Sequence, residues 1–351
     1  MKNHAVRLNQ FGSLDNLSLG EFDLSKTNDN DVVIEVYCSG ISFADILVVE
    51  GKYQDNPPIP FVPGVEVSGV VVEIGKKVNN FQIGDEVVAL TNWGGFSEFV
   101  KVNSKFVEIK SEEMPFDVAA SMTVNYGTSY HALVERADVQ SNQDILILGA
   151  SGGLGLAAIE ISKAYGCRVT AVASSEEKLL VCKQYGADKL ILNKDDDLKG
   201  CLKNNSAGKF DVIYDSIGGQ STVDSLSFIK WKGIILIMGF ASGDIPAPPL
   251  NKILLKGCSL VGVFWGPFAK GNDDFNLECI KKINHLYDTN LIKIAKPELF
   301  LINQFKEALL KIKNRKSIGK LCLYTNSYME NLPIRQQINL NLGKNISKSE
   351  R

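Results

Sequence analysis

The chain has 351 residues, enough for two domains of ordinary size, each with its own core. With 45% hydrophobic and 22% charged residues it has the composition of a globular protein, and a net charge of −2 gives no electrostatic reason to expect nucleic acid or a bilayer as partner. The N-terminal stretch has no apolar core of signal-peptide length, and the longest apolar run, 234–238, is far too short to span a membrane.

The first third reads as short strands at 32–38, 65–74, 86–90 and 96–102. Turn residues punctuate them: Pro57-Pro58, Pro63-Gly64, Gly84-Asp85 and Gly94-Gly95. From about residue 126 the rhythm changes. A short apolar strand at 144–148 precedes a helix over 154–166, with Leu154, Ala157, Ala158, Ile161 and Tyr165 on one face. A strand at 168–173, a helix over 175–185, and strands at 190–192, 211–214, 233–238 and 259–264 follow. Apolar strands alternating with amphipathic helices predict a parallel sheet covered on both faces. Helices are expected over 273–287 and 302–313 and a last strand over 320–324; 325–351, rich in Asn, Ser and charge, reads as a mobile polar tail. Seven cysteines at 38, 167, 182, 201, 258, 279 and 322 include no C-x-x-C pair, which points to thiols in a reducing compartment and a cytoplasmic location.

Between the strand at 144–148 and the helix after it lies Gly149-Ala-Ser-Gly-Gly-Leu-Gly155. This is nearly the dinucleotide fingerprint, with Ala150 at the first glycine position. Ser151, Gly152, Gly153 and Leu154 form the turn that opens the helix. Gly152 lets backbone approach a pyrophosphate, Gly155 lets the helix pack closely, and the helix N-terminus offers N–H groups to an anion. The competing reading is a purely structural turn. At the end of the next strand, NAD-binding units carry an acidic residue for the ribose 2′-hydroxyl. Here Ser174, Ser175 and Lys178 stand instead, which favours the 2′-phosphate of NADPH over NADH. Ser174 with Glu177 also spells a capping box, which needs no ligand.

Pro63-Gly-Val-Glu-Val-Ser-Gly69, Gly84-Asp-Glu-Val87, Thr128-x-Tyr130-x-Ala-Leu133, the glycine loop and Gly239-Phe-Ala-Ser-Gly243 occur in that order. Together they resemble the zinc-free quinone oxidoreductase (zeta-crystallin-like) branch of the medium-chain dehydrogenase/reductase superfamily, from about residue 5 to about 324. The resemblance implies an α/β fold. A GroES-like β-rich catalytic domain would be formed by 1–125 and 266–324, around a Rossmann doubly wound parallel-sheet domain at 126–265, with 325–351 as tail. Zinc alcohol dehydrogenases of the superfamily use a cysteine and a histidine where this chain has Ser42 and Val65, so no metal is expected. Without that Lewis acid, a quinone or an activated alkene is the more natural hydride acceptor. Reduction of an enoyl thioester is a narrower alternative; it needs a basic entrance, for which 311–316 is better read as a solvated helix end. A cofactor-binding protein without turnover is the other.

The resemblance also implies site residues. Tyr53 matches a tyrosine near the nicotinamide, with a surface loop tyrosine as the competing reading; Ser42 replaces an asparagine, and Thr128 faces the cofactor from the domain junction. Asp45 is expected to be a structural acceptor. Ser216, Gly239, Phe240 and Ala241 lie at carboxyl ends of strands, where ligands bind in open sheets. Phe264 and Trp265, at the end of the last strand, are expected near the nicotinamide, or else as core aromatics. Asn193 stands where relatives often carry a tyrosine against the 2′-phosphate. A homodimer is implied, through pairing of the last parallel strands near 259–264.

Overall fold

A computed structural model describes residues 1–194, 197–205, 208–271, 273–332 and 337. Strands β1 (Lys2–Leu8), β2 (Leu17–Asp23), β3 (Asp31–Ile41), β4 (Glu66–Ile74), β5 (Glu86–Leu90), β6 (Phe99–Asn103) and β7 (Val107–Ile109) come first. Next are β8 (Asp144–Leu148), β9 (Arg168–Ala173), β10 (Lys189–Leu192), β11 (Phe210–Asp215), β12 (Ile229–Ile237) and β13 (Ser259–Gly262). The series closes with β14 (Glu298–Leu301) and β15 (Leu321–Tyr324).

The first seven and last two strands build the β-rich half. Its main sheet runs β14-β15-β3-β4-β5-β7, with β6 also on β3, and β1 pairs separately with β2. All pairings are antiparallel except β14 with β15. The chain end thus completes a sheet begun by residue 31.

The other half is a six-stranded parallel sheet in the order β10-β9-β8-β11-β12-β13. Its central strands are buried on both faces, as their unbroken apolar runs require. The order reverses between β8 and β11, so their connections diverge and open a crevice at the carboxyl ends. At the opposite ends Lys230 bridges Asp144 and Asp211 at 2.8 and 2.7 Å.

Two expectations change. The last parallel strand stops at Gly262, because a helix (Trp265–Gly271) begins at Trp265 with Pro267 in its first turn, where proline is tolerated. The stretch after 266 packs at the junction of the two halves: Asn284 donates to the Ile109 carbonyl at 3.2 Å, Ser111 donates to Asp288 at 2.5 Å, and Lys281 lies 3.7 Å from Glu108. Trp265, Ala269, Cys279, Ile280, Ile283, Ile292, Ile294 and Ala295 join a cluster that spans both halves, holding Ile147 and Leu156 together with Val88, Leu90 and Met114. The tail also begins with structure: Asn326–Asn331 is a helix, and Tyr328 is buried against Tyr37 and Tyr324. Of 333–351, only Gln337 is among the described residues. No helix of the described residues is long and apolar enough to cross a membrane.

Candidate active site

The glycine loop leaves β8 at the crevice. Gly149 carries the left-handed turn, at φ +67°, and a Cβ there would strike Ile217 and the Ser216 hydroxyl at 2.8 and 2.9 Å. Ala150 is therefore not the turning residue. It is fully buried, with its N–H on the Val172 carbonyl. Gly152 caps the helix Gly153–Ala164, and a Cβ there would meet only the Gly149 carbonyl, at 3.4 Å. The fold itself makes no demand for glycine at 152. Gly153 and Gly155 are required by packing, since side chains there would hit the Asn125 amide at 2.3 Å and the Gly149 and Ala150 carbonyls at 2.5 Å. The Ser151 carbonyl accepts the Gly319 N–H at 2.8 Å, and the Leu154 carbonyl accepts the Ser129 hydroxyl at 3.2 Å. Gly319 belongs to the β-rich half, so both halves frame the loop.

Beside it lies a basic corner. Ser175, not Ser174, caps the helix Glu176–Gln184, accepting the Lys178 N–H at 3.3 Å. The cap thus falls one residue after Ser174, and the reciprocal pair expected with Glu177 does not form. The exposed Ser174 hydroxyl instead faces the Lys178 ammonium at 3.3 Å. Lys178 also donates to the Arg315 carbonyl at 3.1 Å. The Arg315 guanidinium spans to the carbonyls of Ala241 and Ser242 at 3.0 and 2.9 Å. Among the described residues, neither cation meets a carboxylate. Sequence reading passed over Arg315, which belongs to the basic run read as a solvated helix end. Lys311 and Lys313 of that run pair with Glu298 and Glu50 at 2.6 and 2.5 Å. Arg315, turned by a left-handed φ of +56°, reaches the crevice.

The far wall follows β11 and β12. Buried Asp215 accepts the N–H groups of Ile217 and Gly218, both at 2.9 Å, and the Thr222 hydroxyl. This fixes the turn that carries Ser216, whose hydroxyl donates to the Leu148 carbonyl at 3.1 Å. The Ala241 N–H reaches the Ser216 carbonyl at 3.2 Å, and Phe240 lies against Gly218, with Gly239 open beside it. Asn193 is less engaged with the corner: its amide oxygen accepts from Cys201 at 3.8 Å.

On the β-rich side, half-buried Tyr53 meets Phe264 across the cleft, with ring centroids 6.4 Å apart at 68°. Burial, with Asp45 and Asp55 nearby, pushes the Tyr53 phenol up, so it stays protonated at neutral pH as a hydrogen-bond donor. Phe264 remains 47% exposed, whereas Trp265 turns into the core, packed on Gly127 and 5.9 Å from His131. Of the two aromatics, only Phe264 stands in the cleft. Lys270, on the helix Trp265–Gly271, lies 3.7 Å from Asp55 and over Trp93, a second link across the same opening. Thr128 is buried in the junction helix Thr123–Tyr130. The Ser42 hydroxyl and N–H both donate to Asp45, at 2.9 and 2.7 Å, and Asp45 also accepts from Gly64 at 3.2 Å. Burial pushes the Asp45 carboxyl up, opposed by the Ser42 donors and by Lys320. Beneath it, Lys320 and Glu66 form a buried ion pair at 2.5 Å.

Residues 28–111 match the family described as alcohol dehydrogenase GroES-like domain, and 153–280 match zinc-binding dehydrogenase. A quinone oxidoreductase-like protein 2 homolog from Nematostella vectensis is 35% identical over 312 residues, covering 87% of this chain and 84% of its own. Quinone oxidoreductase from Escherichia coli, complexed with NADPH, has the same fold at a TM-score of 0.84 and 23% identity, over 92% of this chain and 99% of that one. The CurK enoyl reductase also shares it, at a TM-score of 0.82 and 22% identity over the same shares. One matching family name implies zinc, which the residues here do not fit. Val65 offers no donor, Ser42 is committed to Asp45, and among the described residues no three His, Cys, Asp or Glu side chains gather to hold a metal. By sequence and fold, the chain belongs to the quinone oxidoreductase-like branch of the medium-chain dehydrogenase/reductase superfamily, a family of oxidoreductases.

Proposed function

We propose that the protein is a zinc-independent, NADPH-dependent oxidoreductase that reduces quinones or activated alkenes. The observation that carries this reading is the meeting of Tyr53 and Phe264 past the carboxyl end of β13, on the same edge of the parallel sheet from which the glycine loop leaves β8. NADPH supplies the hydride when bound. The loop around Gly152 and the helix N-terminus after it hold the pyrophosphate. Ser174, Lys178 and Arg315 hold the 2′-phosphate, where a charge-assisted hydrogen bond has no competing carboxylate. Tyr53 donates a hydrogen bond to the acceptor oxygen, where negative charge develops. Phe264 lines the acceptor side, and Thr128 supports the junction. Ser42 acts through Asp45, holding the helix Phe43–Val49 that leads into the Tyr53 loop. Support from relatives is by name: a quinone oxidoreductase-like protein in sequence, and an NADPH complex among solved structures.

The test is NADPH oxidation against a panel of quinones, enones and an enoyl thioester, with and without chelator. Turnover of a quinone or enone, unaffected by chelator, is the expected result. Turnover of the thioester alone moves the reading to enoyl reduction, and cofactor binding without any turnover defeats it. Lys178→Glu is expected to erase the preference for NADPH over NADH, a loss of roughly tenfold or more. An unchanged preference sinks the phosphate assignment.

We further infer a cytoplasmic homodimer. None of the seven cysteines forms a disulfide, which suits a reducing compartment. Strand β13 is the sheet edge, and Leu250, Leu254 and Leu255 beside it are each more than 70% exposed.

A further inference from the structure

The chain crosses between its halves a second time after the helix Asp273–Asp288. Ile292, Ile294 and Ala295 are buried in the cluster at the junction of the halves, beside Ile147 and Leu156 on one side and Val88 and Leu90 on the other, and Phe300 is already in a core of the β-rich half. Within this crossing Ile294 holds φ at +53°. A β-branched residue is strained there, and such strain persists only where its surroundings over-determine it.

Two buried side chains do so. Glu160 lies on the helix whose first turn is the glycine loop. One of its carboxylate oxygens accepts the Lys293 N–H at 2.6 Å, and the other accepts the Tyr126 hydroxyl. The same tyrosine oxygen accepts the Ala295 N–H at 2.8 Å. Tyr126 and Glu160 are 2% and 4% exposed, so this network is shielded from water. It brackets Ile294 from both sides and ties it to the helix that frames the pyrophosphate position. Asn125, next to Tyr126, abuts Gly153 of that loop.

We propose that Tyr126 and Glu160 are positioning residues that lock the crossing at 293–295 and so set how the β-rich half, with Tyr53, lies over the nucleotide cleft. Neither touches the reacting atoms. Only the catalytic consequence rests on the oxidoreductase reading above; the bracket itself does not. Loosening it lets Ile294 relax out of the left-handed region, which moves β14, the next strand, relative to the cofactor helix.

The test compares Glu160→Gln, Glu160→Met and Tyr126→Phe, all well below their melting temperatures. Gln keeps an acceptor for Lys293 and a partner for Tyr126; Met keeps volume and loses both. For Glu160→Met and Tyr126→Phe, amide hydrogen exchange at 293–301 is expected to accelerate roughly tenfold, beyond any general rise. Acceptor kcat/KM is expected to fall by about the same factor while the NADPH Kd changes less than about twofold. Glu160→Gln is expected to stay near wild type on every readout. Should Glu160→Met fail to fold, Tyr126→Phe alone decides. Exchange at 293–301 that rises no more than elsewhere overturns the bracket, and faster exchange with full acceptor turnover overturns its positioning role. A wild-type protein inert toward every acceptor counts against the catalytic reading alone, because exchange still reports on the bracket.

Discussion

Gly152 separates what folding needs from what a ligand needs. A methyl group there meets only one carbonyl, at ordinary contact distance, so Gly152→Ala is expected to change stability by less than about 1 kcal/mol. The same methyl intrudes where a pyrophosphate is to approach the backbone. Thermal melts with and without NADPH check this: the melting temperature without cofactor should hold, and the NADPH-induced shift should shrink. Equal shifts in variant and wild type would show that the loop is only a turn. Gly149 and Ala150 teach a related lesson. The fingerprint's missing first glycine mattered little, because the left-handed turn is made one residue earlier. Backbone angles, not residue types alone, settle which position needs glycine.

Among the elements, the segment after the junction helix is a π-helical turn, His131–Arg136. His131 stacks on Phe268, with ring centroids 4.1 Å apart and 22° between planes. Burial, with help from Arg136, lowers its pKa to about 4. Above about pH 6.5 the ring is neutral in both the folded and unfolded chain, and it costs nothing. As pH falls from 6.5 towards 4, the unfolded chain takes up a proton that the folded one refuses, and stability drops by up to ~3 kcal/mol. His131→Phe keeps a stacked ring without the titration, so urea melts between pH 4 and 7 should lose this slope. A slope identical in the variant assigns the acid lability elsewhere. Most elements were legible from spacing: 144–148, 168–173 and 86–90 are strands with the expected limits. The helix at Trp265–Gly271 was not, because its 7 residues make fewer than about two turns and Pro267 reads as a breaker unless the helix start is known.

For the whole molecule, the β13 edge and its leucines argue for pairing of two copies. Leu254→Lys adds a charge to that face without touching a core, and light scattering is expected to show a monomer where the wild type is a dimer. A monomeric wild type at micromolar concentration removes the dimer from the proposal.

Composition, turn residues and apolar periodicity determined the parallel sheet, the β-rich remainder and the position of the glycine loop, because each is a pattern within a few turns of chain. The absence of a thiol at 42 and of an imidazole at 65 was equally plain from the sequence. The tertiary structure alone decided that Arg315 joins Lys178, that Phe264 rather than Trp265 faces Tyr53, and that 266–295 packs at the junction of the two halves. It also decided that Glu160 brackets a crossing more than a hundred residues away. Those partners are brought together by a chain that crosses twice between its halves, and contact at such separation leaves no trace in local spacing.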